Sequence, residues 1–580
     1  MKQVTMLIVA CLLGATSADE LLEIITTTGP ADSVPGLVTV RGTGLTASCH
    51  PMPELPIMPG WPKETSTSAN FAPSRGIALA DFDGDGRLEV IMPSTAGQLH
   101  VWKYDGTYYP GWPRTLPGMG QYAAAVADID LDGEYEVAVC TRGMTSGGAV
   151  CVFTEGGTPK PGWPFTGLVG GNFSDSPTLA DLNGDDTLEI IVGERNYPIG
   201  HLHVLTHRGT EYPGAWPCSL DHVPAMGAAV GDLDLDGKPE IVYASYNSLY
   251  VFEPDGRLRA GWPQTNPNGG YFSYQSPALA DLDGDDTLEI VVAEHRDGSG
   301  TYVFRHDGTI LAGWPYRFPR WTYCPPTACD LYRNQDLKVL CGQTGIMGGA
   351  AAVLYGFSST GSVLPGFPVV QPNGDAAEGN IAVADIDGDG DMEVIFSSNV
   401  MYEGKGYMYA VHHDGSAVSG WPLRPTGFTY LNGATVADID GDDSLDIVVV
   451  SDNSTVMSVT VYEAGVPFSR AVWEWPTYQF DMCRTGLYRP YRTGIAQPRT
   501  QASVRQVAAS MVRGVLLLPE GYSDERGAST VLLDISGRKM MELAPGPNDI
   551  RHLAPGVYFL QQANQSKTRG QGVCKIIVAR

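Results

Sequence analysis

Apolar residues in this chain come in runs of three to five, bounded by glycine, proline, asparagine and aspartate. Small-residue runs such as GIALA (76–80) and SPALA (276–280) are followed, after about eight polar positions, by β-branched runs such as LEIIV (188–192) and LEIVV (288–292). An alternating segment such as LYVF (249–252) comes next, then a DG or GG turn and a short stretch ending in GWP. Alternation with turn residues at fixed offsets predicts four short antiparallel strands per unit. No long apolar pattern of period 3.6 occurs beyond the first residues of the chain.

The unit repeats. Acidic stretches DFDGDGRLEV, DIDLDGEYEV, DLNGDDTLEI, DLDLDGKPEI, DLDGDDTLEI, DIDGDGDMEV and DIDGDDSLDI begin at Asp81, Asp128, Asp181, Asp232, Asp281, Asp385 and Asp438, with a degenerate DLYRNQDLKV at Asp330. A second marker keeps the same interval of about fifty residues: PGWP at 59–62, 110–113 and 161–164, then GAWP, AGWP, AGWP, PGFP and SGWP up to 422. Such a period signals a solenoid, a propeller or an array, and four short strands per repeat select a β-propeller. The expected fold is therefore all-β: a propeller of eight four-stranded blades, with seven blades plus a detached unit as the alternative, followed by a small C-terminal β-sandwich. ELPIMPGWP (54–62) precedes the first inner strand without three strands of its own. It is expected to complete or overlay the eighth blade and so close the ring.

Between the first two strands of each unit, positions 1, 3, 5 and 9 are acidic. Carboxylates this close repel unless a cation lies among them. An EF-hand would need a glutamate at position 12 and a helix after it, whereas position 12 is Met92 in the first copy and Val139 in the second. A nine-residue loop offering only oxygen ligands, several of them charged, suits Ca²⁺ better than Mg²⁺ or Zn²⁺. The net charge of −28 agrees, since seven Ca²⁺ ions would leave about −14. It also argues against nucleic acid as a partner, which requires a basic surface.

Dx[DN]xDGxxE between the inner strands of a four-stranded repeat resembles the FG-GAP or VCBS-type repeats of integrin α-subunit propellers and their bacterial relatives, over residues 60–488. That resemblance implies Ca²⁺ held by Asp81, Asp83, Asp85 and Glu89; Asp128, Asp130, Asp132 and Glu136; Asp181, Asn183, Asp185 and Glu189; Asp232, Asp234, Asp236 and Glu240; Asp281, Asp283, Asp285 and Glu289; Asp385, Asp387, Asp389 and Glu393; and Asp438, Asp440, Asp442 and Asp446. In the sixth unit Tyr332, Asn334 and Lys338 replace acids, and Lys338 puts a cation where the ion belongs. About seven Ca²⁺ sites and one loop without an ion are expected.

The first 18 residues, MKQVTMLIVACLLGATSA, have the charged start, apolar stretch and small-residue end of a secretory signal, and Cys11 is placed as in a lipobox. Residues 19–59 form an N-terminal segment and 489–513 a polar linker. Within 514–580, SGRK, APGVYFL and a final basic strand resemble the C-terminal sorting domains of type IX secretion, which implies the corresponding secretion machinery as a partner. No segment is apolar over the length a membrane span requires. Cys140 with Cys151, and Cys329 with Cys341, are either disulfides or buried thiols.

The aromatic of the second marker, Trp except for Phe367 in PGFP, recurs in every unit, which marks it as a wedge between blades. His203 occupies a position that Tyr, Cys or His fills elsewhere, a packing position. Units differ in the segments between GWP and the next inner strand, which carry Tyr122, Phe173, Tyr271, Phe272, Tyr274, Arg320, Trp321, Tyr323, Phe428 and Tyr430. From these, Tyr271, Tyr274, Arg320, Trp321, Tyr323 and Tyr430 are the candidate ligand-binding residues. No catalytic motif is present. The expectation is a secreted or cell-surface Ca²⁺-binding propeller that recognises an extracellular glycan or protein. The alternative is a polysaccharide lyase on the same scaffold, with Arg320, Tyr323 or His222 converging in the central channel.

Overall fold

The structure, a computed structural model, describes residues 55–67 and 76–489 apart from 144–146, 169, 273–274, 297, 299, 346–349, 372–375, 401–404, 430, 454 and 469–472, together with strands between 23 and 48 and between 510 and 578. The described elements are all β. Eight antiparallel blades follow one another, with inner strands at Ala78–Ala80, Ala125–Ala127, Thr178–Ala180, Ala229–Gly231, Ala278–Ala280, Thr327–Cys329, Ala382–Ala384 and Thr435–Ala437. In blades 2 and 7 the outermost strand shrinks to a single bridge, Val150 to Phe165 and Met408 to Leu423. The eight-bladed form is thus the one adopted.

Second strands are buried on both faces, which is why they read as continuous apolar runs rather than alternating ones. In blade 1, Val90 and Met92 pack with Val448 and Val450 of blade 8, while Ile91 packs with Val137 and Val139 of blade 2. Inner strands consist of small residues because the ring narrows toward its axis. The marker tryptophans do join blades. Trp61 Nε1 donates to Tyr104 O at 2.7 Å, Trp112 to Glu155 O at 2.7 Å, Trp163 to His207 O at 3.1 Å and Trp314 to Ser359 O at 2.8 Å, each from one blade to the next. The glycine before Trp61 takes φ +94°, and a Cβ there would lie 2.1 Å from Asp105 O, so only glycine permits the approach.

The ring closes through the N-terminal side. Lys63–Ser66 is the outermost strand of blade 8, paired with Val456–Val459, while Ile57 bridges Tyr462 and Met58 N donates to Val461 O at 2.9 Å. The expected segment thus overlays the blade, and the closing strand follows just after it.

After blade 8 the chain returns to the axis. The stretch WEWPTYQFDMCRTGLY (473–488), whose WEWP looks like a ninth marker, fills the central channel instead. Trp473–Trp475 pairs with the inner strand of blade 7. Backbone N–H groups of Val126, Leu179, Val230, Leu279 and Val436 donate to carbonyls of Met482, Cys483, Thr485, Gly486 and Pro476 at 2.8–3.0 Å. Leu79 N meets Met482 Sδ and Asp330 N meets Glu474 Oε2, so every blade is engaged. The wholly buried Arg484 donates to the carbonyls of Ala124, Ile77, Tyr478 and Asp481 and to Thr477 Oγ1, at 2.9–3.3 Å.

Cys140, Cys151, Cys218, Cys324, Cys329, Cys341 and Cys483 are free thiols. Cys140 and Cys151 sit on opposite faces of blade 2, packing toward blades 3 and 1 respectively, so they cannot bridge. In blade 6, Cys329 lies opposite Lys338 rather than Cys341. The C-terminal strands form a five-stranded sheet and a two-stranded ribbon. Its first strand, Ser510–Val512, lies inside the stretch read from the sequence as linker.

Deleting residues 54–66 removes a closing strand together with the buried Met58 and Trp61. The expected outcome is a loss of more than about 5 kcal/mol, on the scale of truncating two large core side chains, with aggregation at the exposed edge. Chemical denaturation and light scattering check this; a variant that unfolds like the parent would show that the ring closes without the strand.

Candidate functional site

Two opposite faces carry the residues singled out from the sequence. Acidic loops connect first to second strands at one end of every blade, and the variable connections enter the first strands at the other.

The loops are built by their own hydrogen bonds. Position 1 caps the turn: Asp81 accepts the N–H groups of Asp85 and Gly86 at 3.0 Å, and Asp281 those of Gly284, Asp285 and Asp286 at 2.7–3.1 Å. Position 9 reaches back under the loop. Glu89, Glu136, Glu189, Glu240, Glu289, Glu393 and Asp446 each accept the N–H at position 2 (Phe82, Ile129, Leu182, Leu233, Leu282, Ile386, Ile439) at 2.7–3.0 Å. This repeated bond holds one carboxylate oxygen and leaves the other free of it; in blade 2 the position 9 acid groups with Asp128 and Asp130.

Carboxylate oxygens from Asp81, Asp83 and Asp85, from Asp281, Asp283 and Asp285, and from other such trios lie within 4.8 Å of one another. Glu289 Oε1 is buried and accepts no hydrogen bond. A buried anionic oxygen left in that position fits a hard cation, so the residues present suit Ca²⁺. Burial pushes the carboxyls of Glu89, Glu189 and Glu289 up to about 7 and that of Asp446 up to about 8, the neighbouring aspartates adding to the effect. Blade 6 departs from the pattern as its sequence does: Lys338 Nζ pairs with Asp336 at 2.6 Å.

Basic side chains, which the sequence does not place, enter some loops. Lys160 Nζ lies 2.8, 3.1 and 2.9 Å from Asp130, Asp132 and Glu136. Arg259 pairs with Asp234 and, at 2.9 Å, with Glu240. Lys103 and Arg305 touch only Asp83 and Asp283, and His412 lies 3.0 Å from Glu393.

On the opposite face, several of the expected aromatics pack inward instead. Phe173 and Phe272 are fully buried and Tyr122 nearly so, because they cover the ends of the blade cores. Tyr274 and Tyr430 lie outside the described residues. Tyr271, Trp321 and Tyr323 join two neighbouring groups of rings that together cross blades 3 to 6. His222 stacks on Tyr246 at 5.1 Å and 6°, Tyr197 and Tyr271 flank that pair at 6.0 and 5.8 Å, and His295 lies 4.3 Å from Tyr323 and 5.9 Å from Trp321. Backbone links them, with His295 N donating to Tyr271 O at 2.7 Å. Arg195 sits 5.4 Å over the Tyr246 ring and donates to its hydroxyl at 3.2 Å. Tyr197 is 78% and Tyr271 46% exposed. Trp321 Nε1 is buried without a hydrogen-bond partner. Arg320 lies in the same connection as Trp321.

Arg195, Tyr197, Tyr246 and His295 went unread in the sequence because they sit in second-to-third-strand hairpins, far along the chain from the connections they meet. Aromatic hairpin tips in consecutive units were the available signal. His203 is more than a packing residue: its ring is buried between Glu194 at 3.2 Å and Glu211 at 2.5 Å. The axial channel, where a convergent catalytic cluster was the alternative, is filled by residues 473–488.

In chelator, the melting temperature is expected to fall as pH rises from about 6 to 8. The ion-free folded chain retains protons on Glu89, Glu189, Glu289 and Asp446 that the unfolded chain has already released, so rising pH favours unfolding until those groups ionise. Thermal melts across that range check it, and a slope that persists unchanged in Ca²⁺ would detach it from these loops.

Residues 81–139, 232–292 and 385–449 match the FG-GAP-like repeat. No curated protein matches the sequence. Among solved structures, the V. cholerae biofilm matrix protein Bap1 superposes with a TM-score of 0.54 at 14% identity, over 75% of this chain and 97% of that one. The Dos1 propeller gives 0.40 at 12% identity over 70% and 96%, and the C-terminal domain of Pseudomonas aeruginosa PilY1 0.37 at 11% over 64% and 92%. At these identities the likeness is one of fold. The chain is an eight-bladed β-propeller that carries FG-GAP-like repeats.

Proposed function

We propose that this is a secreted or cell-surface, Ca²⁺-binding propeller that recognises an extracellular glycan through the aromatic face of blades 3 to 6. The observation that carries the reading is the run of partly exposed rings from Tyr197 through His222, Tyr246 and Tyr271 to His295, Trp321 and Tyr323. Aromatic faces carry negative quadrupole charge and attract the weakly positive C–H groups of a pyranose. Arg195, held over Tyr246, adds donors suited to hydroxyl or carboxylate oxygens. Such sites reward shape along a chain of sugars, which a surface crossing four blades provides. Similarity in fold to a biofilm matrix protein is compatible with work outside the cell.

Calcium in this reading is structural. It neutralises the acidic loops and ties first to second strands around the ring, so the ions stabilise the folded chain by binding it alone. Residues 514–580 serve as a sorting-type sandwich, a reading supported by the SGRK and APGVYFL motifs of the sequence.

On a glycan array, Tyr246→Ala with Tyr271→Ala is expected to lower affinity for the bound sugar at least tenfold, roughly the weight of one anchoring ring, with an unchanged melt. Full-strength binding by that variant would move the site elsewhere, and a wild-type chain that binds protein but no glycan would replace the ligand class. Removing residues 514–580 should leave the propeller folded but retain it in the cell, as fractionation of the producing cells would show; export of the truncated chain counts against the sorting role.

A further inference from the structure

The acidic loops are alike in sequence, yet their surroundings differ at one repeat position. Three residues before each marker Trp or Phe, or four before Trp216, stand Tyr109, Lys160, Tyr212, Arg259, Leu311, Leu364 and Val418 in blades 1 to 7. The backbone is fixed identically there. Each of these residues donates its N–H to the third strand of its own blade, to Val101, Val152, Val204, Val251, Val303, Gly356 and Ala410 respectively, at 2.7–3.1 Å. In blades 1 to 4 the side chain reaches the acidic loop of its own blade. In blade 1 it is Tyr109, packed edge-on against Phe82 of the loop. In blades 2 and 4 it is a cation.

Resting on the calcium reading above, we infer that Lys160 and Arg259 are built-in counter-ions that replace Ca²⁺ in blades 2 and 4, so that the chain takes five ions rather than seven. The Lys160 side chain is 9% exposed, and its ammonium lies within 3.1 Å of the carboxylates at positions 3, 5 and 9, Asp130, Asp132 and Glu136. A calcium ion bonded to those oxygens at about 2.3–2.6 Å would need the same space. Arg259, 12% exposed, hydrogen-bonds position 3, Asp234, lies 2.9 Å from position 9, Glu240, as an ion pair without hydrogen-bond geometry, and reaches Glu253 beyond them at 3.5 Å.

The other cations near these loops do not do this. Lys103 and Arg305 approach from solvent, 30% and 36% exposed, and pair only with position 3, leaving the position 9 acids Glu89 and Glu289 to an ion. His412 does touch Glu393, but a neutral imidazole is itself a metal ligand and can share the site with a cation. No basic side chain pairs with the position 9 acid in blade 3 or blade 8 among the described residues. A single repeat position thus selects between a covalently attached cation and a diffusible one.

Metal content of the full-length chain, measured by mass spectrometry after gel filtration from millimolar CaCl₂, tests the assignment. Five equivalents are expected for the parent, six for Lys160→Met, six for Arg259→Met and seven for the double variant. Introducing the lysine elsewhere, Tyr212→Lys in blade 3, should lower the count to four. A parent that holds seven ions, or a folded double variant that still holds five, overturns the assignment while leaving calcium binding intact. No calcium on any form overturns the calcium reading itself. Should a methionine variant fail to fold, the parent count and the Tyr212→Lys count still decide.

Discussion

The inner strand of every blade turns one edge toward the propeller axis, and each buried N–H left without a partner there would cost about 1–3 kcal/mol. In this protein a single returning segment satisfies that edge around the whole ring. Residues 473–488 receive the central N–H of the inner strand in blades 1, 2, 3, 4, 5 and 8, pair with blade 7, and hold blade 6 through Glu474. The burial of Arg484 follows from that arrangement. Arg484 is tolerable at the centre because its donors meet carbonyls of blades 1 and 2 and of the segment itself, which leaves no buried donor idle.

With the axis occupied by residues 473–488, the two rims are left to differ. One rim is uniform because each blade contributes the same turn. The other varies, since connections of unequal length cross it, and there blades 3 to 6 supply rings and guanidinium groups where blades 1 and 2 supply glycine-rich turns. A surface assembled from consecutive blades is extended by construction.

The acidic rim shows how a repeated solution accommodates local exceptions. Its hydrogen bonds from position 9 to position 2, and from position 1 into the turn, fix the loop whatever neutralises it. Electrostatics then decides only what sits among the carboxylates, and a buried amine or guanidinium meets the same demand as an ion. In blade 6 the loop has lost most of its acids and Lys338 occupies position 9, the same balance reached from the other side.

Period, strand order, blade number and the acidic quartets were legible in the sequence because each is local: turn chemistry, alternation and burial on two faces act within one fifty-residue unit. The joining role of the tryptophans was legible as well, since it recurs at every copy. WEWP misled for the converse reason, as four residues matching a marker cannot reveal that they open a segment running past all eight blades. The same limit hid Tyr246 and His295, whose partners come from other units, and buried Phe173 and Phe272, which sit on the variable connections but point into the core. Lys160 and Arg259 were visible as letters, but only the folded blade brings them under loops some twenty-five residues earlier in the chain. Sequence by itself determined what each unit is; the closed ring decided which residues of different units, and of one unit's distant turns, share a surface, because those contacts are set by the geometry of closure rather than by any local pattern.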